Sequence, residues 1–411
     1  MHSLNRNVYY LGLGLVLACF SVTAVAQTTP TASPGMAPSP QSTEAALAQE
    51  VLTAKPIPAE IFAASLLASI SAGNINSVRD QTVAPMGAFV SISGSNGKYV
   101  GTFVHGQVTV LIHVDSDGKI DGLLLRNPIL KGVSLPETLA SVRNLPGSVS
   151  YVIEENGREL QAFNQSQALG VGSTFKLAVL NALRQQIDRG KQRWSDVVQL
   201  KAGWKSLPSG VYQTWPDGTA LTLQTLATEM ISVSDNTAAD ALASIVGHSA
   251  IAPFAGTNDP FLTTREMFTL KSAEGASLRA RYLHGTPAER RAVVMQIDRM
   301  PLPSIDDLDT DPSLASIEWH YTNRQLCRLM AGVQDLPLMS VNPGVASPSQ
   351  WQRIAYKGGS DWGVISMTTW LVSRAGDSYC VSVSWNDTAA AVDQDKFETL
   401  YGSVLSSLAT P

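Results

Sequence analysis

The sequence predicts an α+β protein with two folded domains, and three observations predict it. The chain has 411 residues, which is more than one hydrophobic core usually organises. Apolar and polar residues alternate over 107–114, as is typical of a half-buried strand. Strand-like segments also stand at both ends of a long helical stretch, at 148–155 before it and within 352–386 after it. One sheet with helices packed against it is therefore expected.

The composition narrows the function classes. Charged residues make up 15% of the chain and the net charge is -5, so no basic surface for nucleic acid is predicted. The six histidines are scattered without metal-ligand spacing, so we expect no metal and no cofactor. A small-molecule substrate fits this composition best.

The start of the chain predicts export. Residues 1–26 are typical of a signal peptide, with a basic start, an apolar run over 9–22 and the cleavage pattern Ala24-Val25-Ala26. The run is too short to cross a membrane core of about 30 Å. Cys19 would allow lipid attachment, but cleavage after Ala26 would remove it. We expect a periplasmic or extracellular protein that meets a membrane only if Cys19 is lipidated.

The composition of later segments predicts the domain boundaries. Residues 27–45 are rich in Pro, Ser, Thr and Ala, which is typical of a flexible linker. Helical spacing over 59–67 and strands up to residue 125 predict a small α+β domain at 46–135. The rest of the chain, 136–411, forms the second domain.

Two cysteines remain after the predicted cleavage. Cys327 lies in a predicted helix and Cys380 in a predicted strand. An exported protein can form disulfides, but two separately buried thiols fit the sequence equally well. The sequence alone therefore does not decide whether Cys327 and Cys380 form a disulfide.

The segment Ser173-Thr174-Phe175-Lys176 is the first candidate for chemistry. A helix is predicted to begin near Ser173, so the hydroxyl and the amine share one helix face. A neutral lysine there can take the serine proton, and the helix N-terminus favours the negative charge that develops. The same pattern occurs in Ser95-Asn96-Gly97-Lys98, but that copy lies in a Gly-rich turn between strands, where the two side chains need not meet.

The segment Ser234-Asp235-Asn236 is the second candidate and follows the amphipathic run 223–231. Ser234 would relay a proton, and the Asn236 amide would hold an amide group of the substrate. All three residue types also favour the N-cap of a helix, which is the alternative interpretation.

The segment Lys357-Gly358-Gly359-Ser360 is the third candidate and ends a predicted strand. Paired glycines let a substrate lie close to the strand edge. Lys357 offers a cation for a carboxylate, and the N–H that follows the glycines supplies half of an oxyanion hole. A plain β-turn is the alternative.

The three segments, in this order, resemble the Ser-x-x-Lys, Ser-Asp-Asn and Lys-Thr-Gly motifs of class A β-lactamases and penicillin-binding proteins. Residues 148–411 resemble that superfamily, and Met230–Leu242 is particularly similar to class A enzymes. The resemblance implies a role for each residue: Ser173 as the acylated nucleophile, Lys176 as its base, Ser234 as the proton relay, Asn236 and Lys357 as substrate ligands, and the amides of Ser173 and Ser360 as the oxyanion hole.

The front half adds a second resemblance. A small α+β domain before a β-lactamase-like domain is similar to the two-domain protein of clavulanic acid biosynthesis clusters. This implies a steroid-isomerase-like (cystatin-like) cone at 46–135, followed by a β-lactamase-like domain with an antiparallel sheet and a helical subdomain. Asp80 is the one acid that would serve an isomerase there.

Two departures from the class A pattern affect the expected chemistry. The Glu-x-x-Leu-Asn context of the deacylating glutamate is absent, and Glu266 is the candidate for its role, although its setting also predicts a helix start. Gly358 replaces the usual hydroxyl residue, which removes a hydrogen bond worth about 1–3 kcal/mol to a charged partner. We therefore expect efficient acylation and slow deacylation.

The expected function is that of a serine hydrolase acting on β-lactams through an acyl-enzyme on Ser173. The substrate is a β-lactam or a related ester or amide. An esterase and an acylation-trapped penicillin-binding sensor are the alternatives. An esterase of the α/β-hydrolase type would need Gly-x-Ser-x-Gly, which the chain does not contain.

Overall fold

The computed structural model describes residues 40–130 and 133–409, and the chain divides into two compact units. The first unit reaches Thr138 and adds Glu398–Leu408, and the second spans Leu139–Phe397. The predicted signal peptide, Cys19 and most of the predicted linker lie outside the described residues. No helix in the described part of the chain combines the length and the apolar character needed to span a membrane.

The first unit is a four-stranded antiparallel sheet with three helices. The helices are α1 (Pro40–Thr53), α2 (Ala64–Ser69) and α3 (Ala72–Val83), and the strands, paired in chain order, are β1 (Phe89–Ser95), β2 (Lys98–Phe103), β3 (Gly106–Val114) and β4 (Ile120–Leu130). The strand predicted at 107–114 is confirmed, and it pairs with β4 in an antiparallel hairpin.

Helix α1 corrects the predicted linker. The helix begins at Pro40, so residues 40–45 are helical and not part of a flexible tether. The reason is burial: Ala48, Val51 and Leu52 of this helix are almost wholly buried. A Cβ on Gly101 of β2 would lie 2.2 Å from the Leu52 side chain, so the helix packs tightly onto the sheet and contributes to its core.

Asp80 does not occupy the place that an isomerase acid would need. Its neighbour Arg79 is 1% exposed and donates to the carbonyls of Val51 and Ala54 at the end of α1, at 2.9 and 2.5 Å. The Asp80 side chain is 58% exposed and accepts from Arg79. The predicted buried acid is therefore wrong for Asp80, whose exposed carboxylate pairs with the buried Arg79.

The second unit is built on a five-stranded antiparallel sheet. The described strands of this unit, which include those of two small two-stranded sheets, are β5 (Ser148–Glu155), β6 (Arg158–Phe163), β7 (Leu169–Gly170), β8 (Val197–Gln199), β9 (Ala220–Thr222), β10 (His320–Tyr321), β11 (Arg353–Asp361), β12 (Val364–Val372) and β13 (Ser378–Asn386). The large sheet has the order β11-β12-β13-β5-β6. Strands from both ends of the unit share this sheet, which confirms the prediction.

Most of the helices come from the middle of the chain. They are α4 (Leu135–Arg143), which contains the unit boundary, α5 (Lys176–Asp188), α6 (Leu223–Ser232), α7 (Asn236–Val246), α8 (His248–Ile251), α9 (Thr264–Lys271), α10 (Ala276–His284), α11 (Pro287–Ile297) and α12 (Asn323–Ala331). The last helix, α13 (Gln394–Leu408), begins in the second unit and belongs to the first unit from Glu398 onward. The helices α5, α6 and α7 supply much of the main core of this unit.

The start of α5 differs from the prediction by one turn. Residues Gly172–Phe175 form a 3-10 turn, and the α-helix begins at Lys176. Gly172 has a φ of +48°, which a residue without a Cβ adopts easily. The helix buries one apolar face, since Leu177, Leu180 and Leu183 are wholly buried.

The structure decides the question of the cysteines. Cys327 of α12 and Cys380 of β13 form a disulfide, with their Cα atoms 5.9 Å apart. Both side chains are buried beside Val152 of β5. The bond thus fastens a helix to the middle of the large sheet.

Removal of this disulfide is expected to destabilise the protein by about 3–4 kcal/mol, because the bond closes a loop with a sequence separation of 53 residues. Urea denaturation of the double variant Cys327→Ala/Cys380→Ala, compared with the oxidised wild type, measures the loss. Reduced wild-type protein is the control and should unfold near the variant. A loss below about 1 kcal/mol would show that the bond contributes little.

Candidate active site

Ser173 and Lys176 lie together at the start of the central helix. The Lys176 Nζ is 3.1 Å from the Ser173 Oγ. The Phe175 ring between them in sequence stacks on Trp319 with a centroid separation of 3.7 Å, and the Thr174 hydroxyl donates to a carbonyl of β12 at 3.2 Å. The turn is therefore fixed on two sides, and the predicted hydroxyl–amine pair is present.

The second Ser-x-x-Lys copy has a different setting, as predicted. Ser95 and Lys98 face each other across the β1–β2 hairpin, and both are exposed. Asn96 between them has a φ of +53°, as the tight turn requires. This copy lies in the first unit and provides a natural control for experiments on Ser173.

The Ser234-Asp235-Asn236 loop meets the amine of Lys176. The Nζ lies 2.5 Å from the Ser234 carbonyl oxygen, 3.1 Å from the Ser234 Oγ and 2.6 Å from the Asn236 Oδ1. Ser234 has a φ of +61°, a left-handed conformation that is uncommon for serine. This conformation directs both oxygens of Ser234 to one amine.

The Asn236 amide positions Lys176. Its Oδ1 accepts from Lys176, and its Nδ2 donates to the Leu207 carbonyl at 2.9 Å. The side chain is buried, so its orientation is fixed by both contacts. Contact between Asn236 and a substrate amide stays a prediction.

Asp235 caps a helix and also makes contacts that the sequence interpretation missed. Its carboxylate accepts from the Ala238 amide at 2.8 Å and caps α7, and it also accepts from the amides of Val211 and Tyr212 at 2.7 and 3.0 Å. The N-cap interpretation is therefore right for Asp235, and the catalytic interpretation of Ser234 and Asn236 stays a prediction. Asp235 holds the loop, while its two neighbours contact Lys176.

The hydrogen-bond partners of Lys176 suit a neutral amine. Burial lowers the pKa of Lys176 to about 7, against the opposing effect of Asp235 and Asp240. A neutral amine has two hydrogens, which match the Ser234 carbonyl and the Asn236 Oδ1, the two nearest acceptors. Its lone pair is then left for a hydroxyl proton, which is what a base for Ser173 needs.

Lys357 reaches the same loop from β11. Its Nζ lies 3.0 Å from the Ser234 Oγ and donates to the Gly358 carbonyl at 2.6 Å. Burial, together with the charge of Lys176, holds the pKa of Lys357 well below its ordinary value. The Ser234 hydroxyl therefore bridges two amines, one on each side.

Glycines let β11 approach the Ser173 turn. A Cβ on Gly359 would lie 2.3 Å from the Ser173 amide nitrogen and 2.4 Å from the Val171 carbonyl oxygen. A Cβ on Gly172 would lie 2.7 Å from the Ser360 amide nitrogen. The two backbones are thus in direct contact, and the amides of Ser173 and Ser360, the predicted oxyanion pair, lie on the facing segments.

Gly358 has an unexpected neighbour. A Cβ at this position would lie 2.1 Å from the hydroxyl oxygen of Tyr356. Tyr356 is half-buried, and its ring also lies 2.7 Å from the place of a Cβ on Gly344. The tyrosine hydroxyl therefore fills the space that a side chain at position 358 would occupy, a relation that the sequence interpretation missed.

The structure does not bring Glu266 to the Ser173–Lys176 pair. Its carboxylate accepts from the Thr263 amide at 2.6 Å and completes a capping box at the start of α9. Burial, with the neighbouring Asp298 carboxyl, raises the pKa of Glu266 above its ordinary value. In the described part of the chain, no Asp or Glu accepts a hydrogen bond from Lys176. The helix-start interpretation is right, and the deacylation role is not supported.

A buried ion network ties α9 to the end of β11. The Lys271 Nζ lies 2.5 Å from Glu318 and 2.7 Å from Asp361, the residue after Ser360. Glu318 is wholly buried, and Lys271 almost so. The network steadies the strand end that carries Ser360. Across residues 40–130 and 133–409, no group of three or more His, Cys, Asp or Glu side chains is arranged to hold a metal ion.

The substitution Gly359→Ala is expected to slow acylation of Ser173 by about 100-fold, because a methyl group at 2.3 Å from the Ser173 amide must push β11 away. The rate of labelling by a fluorescent penicillin measures the effect. Gly203→Ala is the matched control, since a Cβ there meets nothing within 4 Å. Equal labelling rates for both variants would contradict the close approach.

A comparison with protein families matches one part of the chain. Residues 137–283 match the model described as the beta-lactamase enzyme family. This range includes Ser173, Lys176 and the Ser234 loop, and it ends before Lys357. No curated protein matches the chain.

Solved structures give further matches. Each of the three structures named here covers 67% of this chain. A β-lactamase from Sphaerobacter thermophilus DSM 20745 is 21% identical, with 94% of its own chain covered and a TM-score of 0.43. The protein PBP-A is 15% identical, with 94% covered and a TM-score of 0.45, and an ancestral class A β-lactamase is 20% identical, with 100% covered and a TM-score of 0.44. Sequence identities of 15–21% and TM-scores of 0.43–0.45 are too low to indicate what this chain does. Over residues 137–283, which are about a third of the chain, the sequence is similar to the beta-lactamase enzyme family.

Proposed function

We propose that this protein is a serine hydrolase that β-lactams acylate at Ser173 and that releases the acyl group slowly. One observation carries the proposal: the Lys176 amine lies 3.1 Å from the Ser173 hydroxyl while two oxygens of the Ser234 loop hold it in place. That arrangement gives a serine both a base and a proton relay. Related esters and amides belong to the same substrate class.

Acylation proceeds in three proton transfers. The neutral Lys176 amine takes the Ser173 proton as the Oγ attacks the substrate carbonyl carbon, and the amides of Ser173 and Ser360 stabilise the oxygen anion. The C–N bond then breaks as the Ser234 hydroxyl donates its proton to the leaving nitrogen. Lys176 returns its extra proton to Ser234, so the step ends with an acyl ester on Ser173 and a neutral amine.

Lys357 supplies the charge that binds the substrate. Its amine is buried with a lowered pKa in the free protein, and a substrate carboxylate beside it would favour the protonated form. The contact between Lys357 and Ser234 at 3.0 Å then couples substrate binding to the proton relay.

Slow release of the acyl group is the finer part of the proposal. Fast hydrolysis needs a base that activates water beside the ester, and Glu266, the candidate from the sequence, is held in the capping box of α9. This favours a long-lived acyl-enzyme, and hence the acylation-trapped penicillin-binding sensor as the second candidate. An esterase, acting on a better leaving group, remains the third.

We also propose that the protein is exported and that its first unit has a steroid-isomerase-like cone. The disulfide between Cys327 and Cys380 supports an oxidising compartment, in agreement with the signal peptide expected at 1–26. The four strands paired in chain order, with three helices before them, support the cone.

Intact-mass analysis after exposure to benzylpenicillin tests the acylation. The wild type is expected to gain the full mass of one penicillin, and Ser173→Ala is expected to gain nothing, because the Oγ forms the ester. Ser95→Ala is the matched control for the second Ser-x-x-Lys copy and should label like the wild type. Labelling of Ser173→Ala would disprove the assignment of the nucleophile.

The lifetime of the adduct separates the candidate functions. After removal of free drug, an adduct that persists for hours supports the trapped sensor, and one that decays over minutes supports the slow hydrolase. Nitrocefin turnover without an initial burst would contradict slow deacylation.

The acylation rate at saturating substrate is expected to rise with pH through about 7. Below the pKa of Lys176 the amine is protonated and cannot accept the Ser173 proton, so the rate should fall about tenfold per pH unit. Pre-steady-state labelling between about pH 5.5 and 9 measures the profile, with circular dichroism at each pH as the control for folding. A flat profile would show that Lys176 is not the base.

A further inference from the structure

We infer that the Tyr356 hydroxyl is the second hydrogen-bond donor, beside Lys357, for the carboxylate of the acyl donor, and that this pair selects anionic substrates. The inference rests on the proposed function and names a residue for substrate selection at the same site. From its sequence, the site is expected to lack one hydrogen bond to the substrate carboxylate because residue 358 is a glycine; in this inference, the Tyr356 hydroxyl supplies that hydrogen bond.

The geometry of β11 carries the first step. Residues two apart in a strand point to the same face, so Tyr356 and Gly358 share one face. A Cβ on Gly358 would lie 2.1 Å from the Tyr356 hydroxyl oxygen and 2.9 Å from the ring carbon that bears it. The oxygen therefore occupies the position that the side chain of a serine or threonine at 358 would take.

The ring is held in this position. Its face covers Gly344, where a Cβ would lie 2.7 Å from three ring carbons. The Gly344 amide donates to the Asn342 Oδ1 at 2.9 Å, and the Asn342 Nδ2 donates to the Ser232 carbonyl at 2.8 Å. Ser232 ends α6, two residues before Ser234, so the support of the tyrosine ring is continuous with the catalytic loop.

The two donors lie on one short stretch of strand. The Lys357 Nζ folds back to the Gly358 carbonyl at 2.6 Å, which keeps the amine next to the residue that the tyrosine hydroxyl covers. A carboxylate has two oxygens and accepts several hydrogen bonds at once. The ammonium and the phenol hydroxyl both lie against Gly358, so a carboxylate bound at this residue would be within reach of both donors, and hydrogen bonds to a charged acceptor are the stronger kind.

The consequence is a selectivity that a neutral substrate would reveal. Loss of the tyrosine hydroxyl should weaken binding of a carboxylate-bearing β-lactam by about 10- to 100-fold. The same loss should change the affinity for the methyl ester of that β-lactam by no more than about twofold, because the ester carries no negative charge to strengthen the hydrogen bond. The acylation rate at saturation should also stay near the wild-type value, since the hydroxyl binds the substrate and takes no part in proton transfer.

The test uses Tyr356→Phe in the full chain, with benzylpenicillin and its methyl ester as probes. Binding is measured by calorimetry in a Ser173→Ala background, and acylation by intact mass with Ser173 present. Tyr379→Phe is the matched control: it removes a hydroxyl that donates to Glu155 at 2.7 Å on another strand of the same sheet, and it should bind both probes like the wild type.

A pair of variants at position 358 tests the shared space. Gly358→Thr alone should weaken binding of benzylpenicillin, because its Cβ collides with the tyrosine hydroxyl at 2.1 Å. Tyr356→Ala should weaken it too, and the combination Tyr356→Ala/Gly358→Thr should recover most of the loss by supplying a hydroxyl from the usual position. A merely structural tyrosine would give no such recovery.

The outcomes separate this inference from the proposed function. If Tyr356→Phe weakens the binding of both probes equally, or of neither probe, the inference is overturned while acylation of Ser173 stands. If the wild type is not acylated but the Ser173→Ala background binds benzylpenicillin through Tyr356, the proposed function fails and the carboxylate site remains. If that background does not bind benzylpenicillin at all, the inference is overturned.

Discussion

The burial of the Lys176 amine is the constraint on which the rest of the site depends. An isolated charged ammonium inside a protein is costly, and this side chain is wholly buried. The fold reduces the cost in two ways: the pKa falls to about 7, and oxygens of Ser234 and Asn236 accept the amine hydrogens. The left-handed backbone of Ser234 and the cap formed by Asp235 both serve this arrangement, because they point those oxygens inward.

The contact between the Ser173 turn and β11 is the second constraint, and it involves backbone alone. Gly172 and Gly359 stand where any side chain would collide with a peptide group of the opposite segment. β11 is also the edge strand of its sheet, so its outer edge has no strand partner within the sheet. In the proposed reaction, a substrate would lie along this edge with its carbonyl oxygen near the amides of Ser173 and Ser360.

Much of the site could be predicted from the sequence, because each motif carries its own spacing. Ser173 and Lys176 had to share a helix face, and the strands at 148–155 and 352–386 had to pair to bury their apolar residues. The disulfide could not be decided, since pairing depends on the distance between Cys327 and Cys380 and not on their separation along the chain.

Other features depend on three-dimensional contacts that a sequence pattern does not show. The role of Tyr356 depends on how far a tyrosine ring reaches along a strand, and only the coordinates place its hydroxyl over Gly358. Helix α1 extends into the proline-rich segment because Ala48, Val51 and Leu52 find a core to pack in. The helix-start setting of Glu266, in contrast, was readable from Thr263 three residues earlier.

Helix α9 is secured at both of its ends, by the capping box of Thr263 and Glu266 and by the ion network of Lys271. A single substitution within this helix therefore changes one side chain and leaves the backbone in place. Under the proposed function, a backbone shift that moves a carboxylate of this segment would need both anchors to be released together, so the slow acyl release proposed above should withstand single substitutions in α9.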